Sequence, residues 1–339
     1  IKEDIQKHKL NRLVVSACSP TMHEPTFRNA VAEGGLNPYL FEMANIREHC
    51  SWVHPDEKDE ATEKAKELVR MAIAKARKLE PLEKIKVDVN HTALVLGGGV
   101  AGMRAALDLA ERGFEVYIVE KKPVLGGHAA RLDRLAHTTM KGLDVVNKLV
   151  ERIKDDPKIH LMLSSRLVKV DGSVGHFVAT VKKRPSYVDP KCDLCGECEN
   201  VCPVEVPNEY EYGLTKRKAI FLPFKGAYPP YYVVDMDACT KCGECLKVCK
   251  PKAINLDLEE EEVKLEVGTI VTAIGYKPYE PPIGELGYKT SKRVLTLFQL
   301  KRMLDEDGPT AGKVIVDGVE PKSIAFIMCV GSLSTTPNS

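Results

Sequence analysis

Residues 92–120 read TALVLGGGVAGMRAALDLAERGFEVYIVE. An apolar run, Thr92 to Leu96, meets three glycines; a helix-forming stretch follows from Val100 to Arg112, and Glu115 to Glu120 turns apolar again. Strand, glycine turn, helix and strand in that order make half of a doubly wound α/β unit, whose crossover lays the second strand parallel to the first. Gly97, Gly99 and Gly102 stand as G-x-G-x-x-G at the junction. The first permits the tight turn, the second lets backbone amides approach a pyrophosphate, and the third packs helix on strand. Unpaired N–H groups at the helix start, with its dipole, favour the anion. Gly98, Val100 and Ala101 share this turn and complete the candidate dinucleotide contacts. Glu120, 23 residues after Gly97, would accept hydrogen bonds from an adenosine ribose and repel a 2'-phosphate; Lys121 follows it.

Two further segments favour FAD over NAD. Leu125-Gly126-Gly127 lies just past Glu120, where a flavoprotein brings backbone close to the dinucleotide, and His128 beside it is a candidate neighbour of the isoalloxazine, though a lone histidine is more often structural. The run Val267 to Gly275 resembles the closing strand of flavoprotein disulfide reductases, with Ala273 and Gly275 at the contact positions and Ile274 where threonine is usual. Leu167 and Val168 are the remaining candidate FAD contacts.

Residues 185–257 differ in composition and hold eight of the eleven cysteines. Cys192, Cys195, Cys198 and Cys202 follow C-x-x-C-x-x-C-x-x-x-C-P, and Cys239, Cys242, Cys245 and Cys249 repeat the spacing. That spacing belongs to two-cluster ferredoxins, in which the fourth cysteine of each run ligates the other cluster. The expected sets are therefore crossed: Cys192, Cys195, Cys198 and Cys249 for one 4Fe–4S cluster, and Cys239, Cys242, Cys245 and Cys202 for the other. Zinc would use cysteines in pairs. Pro203 follows the first run, whereas Lys250 replaces the proline of the second, with Pro251 one later. A lysine there would raise the potential of a nearby cluster unless it points to solvent.

The rest of the chain organises around these motifs. Arg12 to Ala17, Glu24 to Glu33 and Glu57 to Leu79 suggest a small α/β unit, closed by Pro81 and a linker. A helix is expected at Gly142 to Lys154, and strands at Ile159 to Val170 and His176 to Lys183. The acidic run Glu259 to Glu262 reads as a solvated turn, Val263 to Ile274 as a resumed strand, and Ser323 to Val330 as the start of another. The expected domains are 1–88, a small α/β domain; 89–185, the first part of an FAD-binding domain; 186–257, an inserted ferredoxin module; and 258–339, the FAD-binding continuation. With 49 basic and 48 acidic residues, dispersed along the chain, nothing favours nucleic acid. No stretch matches the roughly 20 apolar residues of a membrane span, and paired C-x-x-C runs suit a reducing compartment. A cytoplasmic protein with protein partners is the expectation. Ile1 in place of an initiator methionine suggests a start inside a longer polypeptide.

Several segments resemble the iron–sulfur flavoprotein subunit of heterodisulfide reductase: residues 16–27 (SACSPTMHEPTF), 44–50 (ANIREHC), 202–209 (CPVEVPNE), 217–220 (RKAI) and 329–332 (CVGS). The resemblance runs the whole length. It implies a thioredoxin-reductase-like FAD fold carrying an inserted ferredoxin domain, in an electron-bifurcating complex of the methanogen type. There the flavin takes electron pairs from a hydrogenase or formate dehydrogenase partner and sends one electron toward a heterodisulfide and one toward ferredoxin, within a dimer of a larger complex. It also implies a third cluster, with Cys18 and Cys50 as two of its ligands and the others upstream of Ile1. Cys329 matches a further ligand whose partners would follow the chain's end, and Leu333-Ser334 replaces the family's Arg-Asp. The plain alternative for these three cysteines is a buried thiol. No redox C-x-x-C lies outside the cluster runs, so disulfide chemistry is expected on a partner protein. Two other readings stand beside this one: a pyridine-nucleotide oxidoreductase of the glutamate-synthase small-subunit kind, and a non-catalytic electron-wiring scaffold. Trp52 is expected in a core or an interface.

Overall fold

The computed structural model describes residues 1–332 and divides into two compact units, Ile1–Val87 and Asp88–Ser339. In the first, β1 (Leu13–Ala17) and β2 (Phe41–Asn45) pair in parallel, with α1 (Lys2–Lys7), α2 (Pro20–Glu33) and α3 (Lys58–Ala76) around them. Ser19 caps α2 by accepting from Thr21 N–H, and Pro20 takes the first helical position, where its missing N–H costs nothing. Ile5, Val31, Phe41 and Met43 form the core. The Arg12 guanidinium donates to the carbonyls of Ala76 and Leu79, a cation satisfying the end of α3. Trp52 is not core: it is 61% exposed, with Arg47 over its ring at 4.6 Å.

The second unit is built on two sheets. β3 (Thr92–Leu96), α4 (Val100–Glu111) and β4 (Glu115–Val119) form the first crossover, α5 (Gly142–Ile153) leads to β5 (Ile159–Met162), and β13 (Thr269–Thr272) returns to the other side of β3. The resulting parallel sheet runs β13-β3-β4-β5. Both of its faces are covered, which is why β3 is an unbroken apolar run and Ala93, Leu94 and Val95 are fully buried. Val146, Val150 and Ile153 form the buried stripe of α5, at helical spacing.

The other sheet is antiparallel, in the order β12-β7-β6, from β6 (Ser165–Ser173), β7 (His176–Lys183) and β12 (Glu261–Val267). Lys183 at the end of β7 stands opposite Glu261 at the start of β12, so the chain between them leaves and re-enters at adjacent points. That segment holds α6 (Glu197–Asn200), β8 (Glu205–Pro207), β9 (Lys216–Lys218), β10 (Ile220–Phe221), β11 (Val233–Val234) and α7 (Glu244–Val248), around a core that includes Cys198 and Cys245. Glu259 to Glu262 is solvated as expected, but it is no turn. Glu260 pairs with Lys182 and Arg184, and Glu261 with Lys183, beginning a strand at the neck of the insertion. Ile159 to Val170 splits into β5 and β6, and Val263 to Ile274 into β12 and β13, because each run serves both sheets in turn.

Toward the C-terminus lies α8 (Leu297–Leu304), started by a capping box in which Thr296 Oγ1 accepts from Gln299 N–H and Gln299 Oε1 from Thr296 N–H. The expected strand at Ser323 to Val330 does not form. Ile324, Phe326, Ile327 and Met328 are exposed and, among the described residues, no neighbouring edge pairs with them. Leu333 and Ser334 lie outside the described residues.

The tip of the β8–β9 hairpin seats the insertion on the rest of the unit. Arg302 of α8, 5% exposed, makes a two-pronged ion pair with Glu211 at 2.8 and 2.9 Å and also binds Asp305 at 2.8 Å. Gln299 Nε2 donates to the Tyr212 carbonyl, and Arg131 Nη1 to the Glu209 carbonyl. Arg302→Ala should strand Glu211 in a desolvated setting at a cost on the order of 3 kcal/mol, whereas Arg302→Met combined with Glu211→Leu should cost clearly less. Urea unfolding of both variants measures the difference.

Candidate functional site

The glycine turn is built by close backbone approach. A Cβ on Gly97, whose φ is +106°, would meet the Ala273 carbonyl oxygen at 2.4 Å, and one on Gly102 would meet the Gly97 carbonyl oxygen at 1.9 Å. Strand β13 is thereby pressed against the turn, with Ala273 N–H donating to the Leu96 carbonyl at 2.8 Å. A second turn closes from the other side. Gly126 N–H donates to the Gly98 carbonyl at 2.8 Å, Gly126 (φ +111°) has no room for a Cβ beside Ala130, and Gly127 lies over Gly99.

The open space is as informative as the contacts. A Cβ on Gly99 or Gly275 would meet nothing within 4 Å, so both backbones border open space. Among the described residues no side chain caps α4, which leaves its first N–H groups, from Val100 onward, without a side-chain acceptor. Uncapped amides beside a cradle of bare backbone fit an anionic pyrophosphate.

Glu120 does more than the sequence indicated. It is 8% exposed; its Oε2 accepts from Gly98 N–H at 2.6 Å and its Oε1 from Lys122 N–H at 2.8 Å. The carboxylate braces the glycine turn, and each oxygen keeps one lone pair for a ribose. Lys121 beside it is exposed. Leu167 packs into the core between the sheets, and Val168, at a bulge in β6, is 54% exposed.

The two cysteine runs take the same backbone path. Leu194 and Gly196 in the first, and Lys241 and Gly243 in the second, all adopt positive φ, curling each loop around its first three cysteines. A short helix follows each loop and buries Cys198 and Cys245. One cavity is lined by Cys202 together with Cys239, Cys242 and Cys245. Burial first, then the nearby Cys192, Cys195 and Cys245, push the Cys198 thiol up to about 12; burial, then Cys239, Cys242 and Cys202, push Cys245 up. Thiols so gathered cannot ionise together unless a cation joins them, as a cluster's iron would. Backbone N–H groups of Lys241 and Ala253 point at the sulfurs of Cys239 and Cys249, at 3.4 and 3.3 Å. Among the described residues no group of three His, Cys, Asp or Glu is placed to hold a single metal ion. Lys250 is exposed, and Asp193 in the opposite run is held below the usual carboxylate range by Cys195 above all, with Lys250 a smaller contributor.

The other three cysteines are not alike. Cys50 is 3% exposed, its thiol donating to the Ala61 carbonyl at 2.8 Å; Cys18 accepts from Arg47 Nη1 at 3.2 Å; Cys329 is exposed in a turn. His128 was visible in the sequence, but its partners were not. Tyr212, Tyr276 and Phe298 pack around it, and only the T-x-x-Q signature at Thr296 announced the helix that brings Phe298 there.

The glycines separate two effects. Gly99→Ala should leave folding intact, since its Cβ meets open space, yet lower flavin content sharply. Gly102→Ala should cost stability as well, because its Cβ collides with the Gly97 carbonyl. Thermal unfolding and the flavin absorbance of purified protein report the two outcomes separately.

Residues 92–161 match the family described as FAD binding domain, and residues 191–254 the 4Fe-4S dicluster domain. The chain is 52% identical to a CoB–CoM heterodisulfide reductase iron-sulfur subunit of Methanopyrus kandleri, over 98% of this chain and 51% of that protein. It is 49% identical to the corresponding subunit of the H(2):CoB-CoM heterodisulfide,ferredoxin reductase of Methanothermobacter marburgensis, again over 98% and 51%. A third relative, from the Ferredoxin/F(420)H(2)-dependent CoB-CoM heterodisulfide reductase of Methanosarcina acetivorans, is 42% identical over 99% and 43%. The chain thus spans about half the length of the curated relatives it matches. With its FAD-binding and 4Fe–4S dicluster domains joined in one unit, the chain belongs to the family of heterodisulfide reductase iron–sulfur flavoprotein subunits.

Proposed function

We propose that this chain is the flavin- and iron–sulfur-containing electron-transfer part of a heterodisulfide reductase, an oxidoreductase component that passes electrons between FAD and two 4Fe–4S clusters. The observation that carries this reading is the nesting of the cysteine module inside the flavin fold, entering and leaving at the paired residues Lys183 and Glu261. Bound at these sites, FAD would supply exchange between electron pairs and single electrons, and the clusters single-electron relays. The chain's own residues hold the groups. Gly97 to Gly102 and the start of α4 take the pyrophosphate, Glu120 the ribose, and Ala273 and Gly275 the far wall.

The ligand sets we propose are crossed. Cys202 shares a cavity with Cys239, Cys242 and Cys245. Cys249 then completes the set of Cys192, Cys195 and Cys198. Disulfide chemistry would belong to a partner protein. Splitting of electron pairs between a ferredoxin branch and a heterodisulfide branch, and delivery from a hydrogenase or formate dehydrogenase, extend this reading by resemblance to the relatives named above. Cys18 and Cys50 as ligands of a third cluster belong to the same extension, as do a dimeric complex and a cytoplasmic location. No helix among the described residues is long and apolar enough to cross a membrane.

Anaerobically purified protein should carry one FAD and at least about eight irons per chain with matching sulfide, eight being the content of two four-iron clusters. About four irons, or zinc in their place, would sink the two-cluster assignment. The double variant Cys202→Ala with Cys239→Ala tests the crossing. Crossed ligation puts both losses on one cluster and leaves about four irons in place, while uncrossed ligation damages both clusters.

A further inference from the structure

We propose that His128 and Tyr212 are positioning residues for flavin binding: the hydrogen bond between them keeps the Gly126–Gly127 turn in binding geometry by tying it to the seated tip of the cysteine module. The inference rests on the flavin reading above and deepens it, because it makes one site depend on the other.

His128 directly follows the glycine turn that closes over Gly99. Its Nε2 lies 3.0 Å from the carbonyl oxygen of Tyr276, the residue after Gly275. A carbonyl only accepts, so Nε2 carries the proton and donates. That leaves Nδ1 as an acceptor, 3.0 Å from the Tyr212 hydroxyl and 3.2 Å from Nη2 of Arg131, both of which donate to it. Every polar atom of the neutral ring is used. Two aromatic rings also pack against it, those of Tyr276 and Phe298, each 5.0 Å away. One imidazole therefore joins three separate pieces of chain: the Gly126–Gly127 turn, the turn at Gly275, and the hairpin tip of the insertion.

Tyr212 is held for this contact from its own side. Its φ is +51°, a region that a bulky residue keeps only when its surroundings enforce it. The enforcement is visible, since its carbonyl accepts from Gln299 and the preceding Glu211 is locked by Arg302. The same hairpin begins two residues after Pro203 and thus three after Cys202, which lines the cavity described above. Displacing the tip would withdraw the hydroxyl from His128 and free the glycine turn on one side.

The test uses the full chain, freed of flavin under anaerobic conditions with its clusters retained, and FAD affinity read from quenching of flavin fluorescence. Tyr212→Phe removes only the hydroxyl and should raise the FAD dissociation constant about tenfold, as expected of one part-buried hydrogen bond. Iron content should not change, and the visible circular dichroism of the bound flavin should. His128→Gln, which keeps a donor for Tyr276, should bind FAD more tightly than His128→Phe. Should His128→Phe not fold, Tyr212→Phe decides alone. Wild-type affinity and an unchanged flavin spectrum in Tyr212→Phe overturn the proposal. A wild-type chain that takes up no FAD overturns the flavin reading, and this proposal with it.

Discussion

Strand β3, helix α4 and strand β13 meet where no side chain fits. The Gly97 carbonyl oxygen occupies the place a Cβ of Gly102 would take, and the Ala273 carbonyl the place of one on Gly97. This steric constraint fixes the rest of the unit. It sets the angle at which α4 leaves the sheet and so the direction in which its uncapped N–H groups point. It also draws in β13, which comes from residues 269–272, far along the chain, as the sheet's outer strand. Glu120 holds the arrangement electrostatically, a buried carboxylate spending its charge on the backbone amides of Gly98 and Lys122.

Because β13 must return to β3, everything between residues 183 and 261 has to leave and re-enter at one point. The antiparallel pair β7 and β12 provides it, framed by ion pairs among Lys182, Lys183, Arg184, Glu260 and Glu261. Those pairs are exposed and contribute little to stability. The ion pair that seats the module is of another kind. Arg302 with Glu211 and Asp305 lies mostly out of water, where loss of one partner is costly, while Arg217, buried between Glu209 and Asp235, ties the hairpin down within the module itself. Specific seating of the insertion thus rests on its hairpin tip, and the neck is its point of entry and exit.

The elements legible in the sequence were those with a local signature. The β3–α4–β4 unit, α5 and β7 follow from apolar periodicity, and the cysteine loops from spacing alone. The misses share one physical origin. Val263 to Ile274 reads as a single strand, yet Gly268, whose Cβ would strike the Asn90 carbonyl at 2.0 Å, lets the chain pass from one sheet to the other. Ser323 to Val330 has the composition of a strand, but composition supplies no partner, and with no edge to pair with among the described residues it stays exposed. Of the two places expected for Trp52, a core or an interface, the core is excluded, since it lies on the surface beneath Arg47.

The sequence by itself determined the chemistry on offer: a glycine turn shaped for a dinucleotide, two cysteine runs with ferredoxin spacing, and family-specific segments along the chain. Each is encoded within a few residues, where spacing and backbone geometry leave little choice. Only the tertiary structure decided which groups share a space. Cys202 lies beside a run that begins 37 residues later, and His128 hydrogen-bonds a tyrosine 84 residues away. Such neighbours carry no periodic trace, because they are selected by how sheets and hairpins pack once the local elements exist.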